Sequence, residues 1–138
     1  GWRDYTGIMR FFLKYETIPE LTSADVIVDA QMGLYKAMTS VASVVVTVHK
    51  VLGAWEDTTL TWSNKPNFDG TIEDYVVSRE QGIHYWNVTD IVRGWYETGQ
   101  NNGMMFKAVD ASEAVTSNNF RQYYSSDTIV ILRNCGQV

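Results

Sequence analysis

The sequence predicts an all-β protein, an antiparallel jelly-roll-like sandwich with one short helix at about residues 89–98. Short segments alternate between apolar and polar residues, turn-forming residues separate them, and a single segment has helical spacing. About eight short strands with turns between them are typical of a sandwich or barrel. The length of 138 residues predicts one domain, residues 1–138.

The first half of the chain contains three predicted strands. Residues 8–15, IMRFFLKY, place Arg10 and Lys14 on one face and apolar residues on the other, which indicates a half-buried strand. Residues 44–51, VVVTVHKV, are rich in β-branched residues and predict a central strand. Between them, residues 24–37 alternate as well, and the face that lacks charged and amide groups carries Val26, Val28, Ala30, Met32 and Leu34.

An irregular segment and several further strands follow. Residues 54–68 lack a sustained period and are predicted to form an ordered excursion that carries two tryptophans and is closed by Pro66. Residues 72–78 and 82–88 are predicted to pair with each other as antiparallel strands, joined by a turn at 79–82. Later strands are predicted at 104–109, 119–124 and 129–133, with the last two joined around residues 125–127.

The helix is predicted from its boundaries and from one apolar face. Thr89 is the predicted N-cap, because a threonine hydroxyl can accept from the unpaired N–H groups of the first turn. Asp90 suits the positive end of the helix dipole, and Ile91 and Trp95 recur at i, i+4. Gly99 can supply the left-handed residue that ends the helix. A helix this short is marginally stable alone, so we expect it to close one end or edge of the β-structure.

Charge and composition exclude several classes of function. Eleven Lys and Arg residues against 16 Asp and Glu residues give a net charge of −5, which disfavours nucleic-acid binding. No apolar stretch approaches the roughly 18 residues of a spanning helix, so no membrane insertion is predicted. Cys135 is the single cysteine, which excludes an internal disulfide.

The sequence contains no recognisable catalytic pattern. Its two histidines, His49 and His84, lie in predicted strands without metal-ligand spacing around them, and no G-x-S-x-G or phosphate-binding glycine loop occurs. Glu73 and Asp74 are neighbours on a predicted strand and point to opposite faces, which makes them a poor glycosidase pair. The chain is therefore predicted not to be an enzyme.

No cofactor is predicted, and a structural calcium ion is left open. Carboxylate and amide oxygens are the ligands that Ca²⁺ prefers. Asp110 with Asn118, or Asp69 near Asn67, are the candidates, although neither pair has the spacing of an EF-hand loop.

Four segments resemble one known family. The segment WEDTTLTWSNKP at 55–66 resembles the signature of DNRLRE domains, and WNVT at 86–89, followed by Trp95 and the NNG of 101–103, resembles a later part of the same family. RFFL at 10–13 and AQMGLY at 30–35 are similar to two of its strands. The resemblance covers about residues 8–134, and its structural signature consists of Trp55, Glu56, Trp62, Pro66, Trp86, Thr89, Trp95 and Gly103.

The resemblance implies a β-sandwich module of a secreted or cell-surface bacterial protein. Such domains accompany RHS/YD-repeat proteins, adhesin-like proteins and polysaccharide-degrading enzymes, and some are classed as carbohydrate-binding modules. The family supplies no catalytic residues. The expected function is therefore non-catalytic binding of a polysaccharide or glycan. The alternative is a structural or protein-interaction domain of a large RHS/YD-repeat or adhesin-like surface protein.

The chain departs from the family at its start. The family usually has another strand before the one that resembles RFFL, and here only seven residues precede residue 8. The resemblance thus implies that a first strand is absent or comes from a neighbouring chain. An open edge strand favours self-association or pairing with a neighbouring domain.

Aromatic side chains supply the candidate ligand-binding residues. Exposed Trp and Tyr rings can stack on the apolar faces of sugar rings. Trp55, Trp62, Trp86 and Trp95 occupy signature positions, so we expect them in the core or in a loop that plugs it. If Trp86 faces inward, its neighbours Tyr85 and Asn87 face outward. Tyr123 and Tyr124 lie beside Arg121, and adjacent strand residues point to opposite faces, so one of the two tyrosines is predicted to be exposed.

Overall fold

The protein is mostly β, with two antiparallel sheets and one short helix, as the sequence predicts. The computed structural model describes residues 8–15, 18–21, 25–40, 42–109, 123–124 and 128–134. Along these residues the elements are β1 (Ile8–Lys14), β2 (Gln31–Lys36), β3 (Val44–Lys50), β4 (Asp74–Ser78), β5 (Gly82–Asn87), α1 (Thr89–Thr98), β6 (Met104–Ala108), β7 (Tyr123–Tyr124) and β8 (Thr128–Asn134).

The two sheets differ in size. The larger sheet has five strands in the order β4-β3-β6-β1-β8, and the smaller sheet has three in the order β5-β2-β7. In the larger sheet, β1 pairs with β6 through Phe11 and Phe106 and with β8 through Phe11 and Ile131. Because β1 has a neighbour on each side, it is not an edge strand. The expectation of a further strand before it stays a prediction.

The predicted pairing of residues 72–78 with 82–88 is wrong. β4 pairs with β3, where Val76 lies opposite Val46, and β5 pairs with β2, where Trp86 lies opposite Met32. The chain thus passes from the larger to the smaller sheet between the two strands. Val76 packs against the core from one sheet while Trp86 enters it from the other. A hairpin would place both residues in a single sheet, and this core needs them on opposite walls.

The predicted strand at 24–37 is too long, because only its second half forms β2. Met32 and Leu34 are buried as the alternation requires, whereas Val26 and Val28 are exposed. Side chains of the helix instead form hydrogen bonds with the backbone of the segment that precedes β2. Arg93 donates from Nε and Nη2 to the Ile27 carbonyl oxygen, at 2.9 and 2.6 Å. The segment before β2 therefore follows the helix instead of a strand ladder.

The main core fills the space between the sheets and is closed by the helix. Trp86 is completely buried, its Nε1–H donates to the Val46 carbonyl oxygen at 3.0 Å, and its ring meets that of Phe106 edge to face. The helix contributes Ile91 and Trp95 to the same cluster. The other buried members of this cluster are Leu13, Met32, Leu34, Val44, Val46, Val48, Val88 and Met104.

The helix has the predicted bounds but not the predicted N-cap. It spans Thr89–Thr98 and ends at Gly99, which is left-handed with φ of 73°. Val88 occupies the N-cap position, without a side-chain cap, so the prediction for Thr89 is wrong. The Thr89 hydroxyl instead donates to Asn87 Oδ1 at 2.7 Å and accepts from the Ala30 N–H at 2.9 Å. Thr89 thus joins the helix to both flanking segments.

A second, smaller core covers the outer face of the larger sheet. Phe12 and Met105 point outward from their strands and are fully buried, because residues 51–68 fold over them. Trp55 packs edge to face on Phe12 and donates from Nε1 to the Asn102 carbonyl oxygen at 2.7 Å. The irregular excursion predicted at 54–68 is therefore the cover of this face.

The turn at 101–103 holds the covering segment against β1. Gly103 has φ of +75°, and a Cβ atom there would lie 2.3 Å from the Leu13 carbonyl oxygen. Only glycine fits this contact. Asn101 donates from Nδ2 to the Tyr15 carbonyl oxygen at 2.8 Å, and its Oδ1 accepts from the Gly103 N–H at 3.1 Å.

Candidate functional site

The outer face of the smaller sheet carries an exposed group of aromatic and amide side chains. Alternation along β5 and β2 turns Trp86, Met32 and Leu34 inward and their neighbours outward. The residues on the outer face of these two strands are Gln31, Gly33, Tyr35, Ile83, Tyr85 and Asn87, and this set is called the platform below. Tyr85 and Ile83 are 58% and 56% exposed, and Tyr35 is 41% exposed.

Tyr85 leans across its neighbouring strand because Gly33 leaves room for it. The two residues are register partners. A Cβ atom at Gly33 would lie 2.8 Å from Tyr85 Cε1 and 3.1 Å from Cδ1, and also 3.4 Å from Ile83 Cγ2. The ring therefore lies over the backbone of β2 instead of standing away from the sheet. This contact restricts the tyrosine while more than half of it stays open to solvent.

Several amide groups on or beside the platform have fixed hydrogen-bond partners. Gln81 donates from Nε2 to the Tyr35 hydroxyl at 3.0 Å, and Gln31 donates from Nε2 to Asp29 Oδ1 at 3.0 Å. Asn87 Oδ1 accepts from both the N–H and the hydroxyl of Thr89, at 3.0 and 2.7 Å. These bonds fix the orientation of the Asn87 amide group. Its Nδ2 has no acceptor among the described residues.

A polar cavity of about 290 Å³ adjoins the platform at Asn87. Its walls carry the side chains of Asp29, Glu73, Thr89, Asp90 and Arg93, together with Asn87 and Val28. Arg93 Nη1 lies 3.8 Å from Asp90 Oδ1, and its other nitrogens are bound to the Ile27 carbonyl oxygen. Hydrogen-bond acceptors thus predominate in this cavity.

The electrostatics of the cavity are acidic. Partial burial raises the pKa of the Glu73 carboxyl above its ordinary value, and the negative charges of Asp90 and Asp69 raise it further. Lys50 acts in the opposite direction. Asp74, the neighbour of Glu73, instead accepts the Asn87 N–H at Oδ2, at 2.7 Å. The two carboxylates thus serve different parts of the site.

The sequence-predicted ligand residues fall into two groups. Tyr85 and Asn87 both lie on the platform. Tyr123 and Tyr124 form β7, which pairs with β2 on the side opposite β5, with Tyr124 as the register partner of Tyr35. Their side chains and all of Arg121 lie outside the described residues. The structure therefore brings the two tyrosine segments into one sheet, with β2 between them.

Sequence reasoning missed the contributions of β2 and of the cavity. Gln31, Gly33 and Tyr35 lie on the face opposite Met32 and Leu34, and that alternation was visible in the sequence. Their proximity to Tyr85 follows only from the pairing of β2 with β5, which the sequence did not predict.

The signature tryptophans serve mainly as packing residues. Trp55, Trp86 and Trp95 are buried, and Trp62 is half-buried. Arg10 lies 5.3 Å and Lys65 4.1 Å from the centre of the Trp62 ring. Burial and the nearby Arg10 charge lower the pKa of Lys65. The side chains of Arg10 and Lys65 therefore occupy the ring surface of Trp62 on which a sugar would stack.

Two other signature residues lie in the segment that covers the larger sheet. Glu56 holds the loop of this segment through its backbone. Its main-chain oxygen accepts from the N–H groups of Thr59 and Leu60, whereas its carboxylate is exposed and lies 3.9 Å from Lys14 Nζ. Pro66 packs beside Gly53.

The histidines have structural partners. His49 is buried, with Nε2 at 2.9 Å from Thr47 Oγ1 and Nδ1 at 2.9 Å from the Asp69 carbonyl oxygen. His84 faces the interior side of β5 and is half-buried, and its Nε2 lies 2.8 Å from the Glu80 carbonyl oxygen.

The calcium candidates gain no site within the part of the chain that the structure describes. There, no group of three or more His, Cys, Asp or Glu residues is placed to hold a metal ion. Asp69 accepts hydrogen bonds from Thr71, which hold the pKa of its carboxyl below the ordinary value. Asp110 and Asn118 lie outside the described residues, so calcium binding there stays a prediction. Across the described ranges, no helix is long and apolar enough to cross a membrane.

Comparison with known proteins gives one match. The model of carbohydrate-binding module family 96 matches residues 2–129. No curated protein and no solved structure matches the chain significantly.

Proposed function

The chain belongs to carbohydrate-binding module family 96, and on that premise we propose that it is a non-catalytic module that binds a polysaccharide or glycan on the platform. The observation that carries this proposal is the Tyr85 ring, which lies across Gly33 and is 58% exposed. The family match favours carbohydrate binding over the structural or interaction domain that the sequence left as an alternative. The resemblance to DNRLRE domains stays a prediction.

The aromatic part of the platform suits the apolar face of a sugar ring. Carbon–hydrogen groups on one side of a pyranose pack against the face or edge of an aromatic side chain. Contact with Gly33 restricts Tyr85 before a ligand arrives, so less conformational entropy is lost on binding. Ile83 and Tyr35 extend the contact along the sheet on either strand.

The polar part suits the hydroxyl groups of the same ligand. Asn87 is held through its Oδ1, which directs its Nδ2 donors away from Thr89. The carboxylates of Asp29, Glu73 and Asp90 in the adjoining cavity can accept hydrogen bonds from hydroxyls. An aromatic surface next to a few convergent polar groups is the general pattern of small-ligand sites.

The absence of catalysis and the location are part of the proposal. Modules of this class typically act without catalysis and are usually extracellular, which supports a place in a secreted or cell-surface protein. A bacterial source and an attachment to a polysaccharide-degrading enzyme or to RHS-type repeats stay predictions from the sequence. Pairing through an open edge strand also stays a prediction.

The test uses two tyrosines on opposite sides of the molecule. Tyr85 is 58% exposed on the smaller sheet, and Tyr75 is 60% exposed on β4 of the larger sheet. Affinity electrophoresis and calorimetry against neutral and acidic polysaccharides first identify a ligand. Tyr85→Ala is expected to weaken its binding about tenfold, the equivalent of about 1.4 kcal/mol, and Tyr75→Ala is expected to leave it unchanged.

Two outcomes contradict the proposal. Flat titrations of the unmodified protein across the panel would remove the carbohydrate ligand. Equal effects of Tyr75→Ala and Tyr85→Ala, with both variants folded by circular dichroism, would remove the platform as its site.

A further inference from the structure

A separate cavity of about 220 Å³ lies beneath the helix. Its walls come from the helix, from Tyr15, Ile18 and Pro19, from the start of β2 and from the first residue of β6. Most of its lining is apolar: the helix contributes Val92 and Trp95, the segment after β1 contributes Ile18, and the core residues Met32 and Met104 complete it. Of the platform residues, Gln31 also lines this cavity, whereas Tyr85 and Asn87 do not. The cavity is therefore a second site, with a chemistry of its own.

Trp95 carries a buried polar group at this cavity whose hydrogen bonding differs from that of the other buried tryptophans. Trp86 and Trp55 donate their indole N–H groups to the carbonyl oxygens of Val46 and Asn102. Trp95 is 3% exposed, and its indole N–H has no acceptor among the described residues. Buried Trp N–H groups usually have a partner, and a buried donor without one is costly. A ligand in the adjoining cavity can supply that acceptor.

The two tyrosine hydroxyls of the lining are engaged with the protein, and Gln31 donates from Nε2 to Asp29 Oδ1. The Tyr96 hydroxyl donates to the Pro19 carbonyl oxygen at 2.5 Å, and the Tyr15 hydroxyl lies 3.7 Å from Met32 Sδ. A sugar ring would bring several hydroxyls into these apolar walls and leave most of them unpaired, at a substantial desolvation cost. The cavity thus excludes the ligand class that suits the platform.

The shape and the lining favour an aromatic ring. Engineered apolar cavities of roughly 150 Å³ bind benzene, so about 220 Å³ holds one such ring with a short substituent. Met32 and Met104 place two thioether groups in the lining, and sulfur packs favourably against ring edges. The Tyr15 and Trp95 rings meet edge to face, with centroids 6.5 Å apart, and add aromatic walls.

We propose that this cavity binds a small aryl group with one hydrogen-bond acceptor, which takes the Trp95 indole N–H. The site does not depend on carbohydrate binding at the platform. It would let the module contact an aromatic substituent or a free aromatic molecule next to its polysaccharide ligand.

The test compares two probes of equal shape. Acetophenone has a carbonyl acceptor, and ethylbenzene has the same size without one. We expect saturable binding of acetophenone in ¹H–¹⁵N spectra, with a downfield shift of the Trp95 indole proton, and binding of ethylbenzene several-fold weaker without that shift. Trp95→Phe removes the indole N–H and assigns its resonance. It is expected to reduce acetophenone binding to the level of ethylbenzene.

Filling the cavity provides the control. Val92→Phe places a larger side chain in the lining, and Val77→Phe makes the same change at an exposed position on β4. The first is expected to weaken acetophenone binding at least tenfold and the second to leave it unchanged. Ala30→Leu, from another wall, replaces Val92→Phe if that variant does not fold. Absence of saturable acetophenone binding would overturn the proposal. So would acetophenone binding that is unchanged when the cavity is filled, or equal binding of acetophenone and ethylbenzene without a shift of the Trp95 indole proton.

Discussion

The outer face of the larger sheet is covered over β1 and β6, whereas the outer face of the smaller sheet is exposed along β5 and β2, although the strands alternate in the same way. On the larger sheet, Phe12 and Met105 point outward and are fully buried under residues 51–68. On the smaller sheet, Tyr85 and Ile83 point outward and remain more than half exposed. An aromatic residue that points outward from a strand is therefore a candidate ligand contact only if no other segment of the chain covers it.

The partners of the rings differ between the two faces as well. On the covered face, Lys14 lies 4.7 Å from the centre of the Trp55 ring, and Arg10 lies near both Trp62 and Phe68. On the exposed face, the Gln81 amide donates to the Tyr35 hydroxyl, and Gln31 and Asn87 place amide groups on the same face as Tyr85. Cation–π contacts stabilise the cover, whereas amides leave donors and acceptors for a ligand. Some aromatic residues of the chain thus stabilise the covering segment, and others form the exposed platform.

The largest expected effect comes from removing a ring of the covered face. Trp55→Ala removes the contact with Phe12 and the hydrogen bond to the Asn102 carbonyl oxygen. We expect a loss of about 3–5 kcal/mol in the free energy of unfolding, as for other buried tryptophan truncations. Urea denaturation measures it, with Tyr85→Ala as the exposed-face control, expected to lose about 0.5 kcal/mol or less. Similar losses for both variants would remove the distinction between the faces.

An intermediate effect is expected at the contact that orients the platform. In Gly33→Ala the new Cβ atom would lie 2.8 Å from Tyr85 Cε1, so the ring must move off the sheet. Because the tyrosine is exposed and can rotate, we expect the free energy of unfolding to change by about 0.5 kcal/mol or less. Affinity for the polysaccharide ligand should fall about tenfold, or about 1.4 kcal/mol. Unchanged affinity in calorimetry would show that the position of Tyr85 does not matter.

The smallest effect is expected at the edge of the platform. The folded protein raises the pKa of Glu73, so folding favours its protonated form and the ionised carboxylate opposes folding at neutral pH. Glu73→Gln should therefore raise the free energy of unfolding at pH 7, by about 0.5 kcal/mol or less for such a partly exposed group. The gain should disappear as the pH falls below the ordinary carboxyl pKa of about 4.3. Denaturation of both proteins at pH 7 and pH 3.5 measures this gain. A gain that is larger at pH 3.5 would contradict a raised pKa of Glu73 in the folded protein.

The sequence predicted well those features that depend on local spacing. The alternation in residues 82–87 placed Trp86 inside and Tyr85 outside, because side chains of a strand alternate whatever its partner is. The helix bounds followed from the spacing of Ile91 and Trp95 and from Gly99, whose left-handed conformation ends the helix.

Features that depend on distant partners were not predicted. Periodicity shows which side of β4 and β5 is buried, but it does not show that the two strands join different sheets. Val26 and Val28 continue the alternation of β2, yet Arg93 holds the backbone there at Ile27 and keeps it out of the ladder. Thr89 is a residue type that is common at N-caps, but its hydroxyl is hydrogen-bonded to Asn87 and Ala30. In each case a contact between distant segments overrides a local preference.

The turn at 101–103 has a consequence for how the molecule opens. It receives the indole N–H of Trp55 from the covering segment, binds the end of β1 through Asn101, and leads directly from α1 into β6. The turn thus links the small outer core to the main core. We expect thermal opening of the covering segment to loosen the helix and β6 as well. The two cores are then expected to unfold as a single cooperative unit, with the slowest-exchanging amides in the strands that separate them.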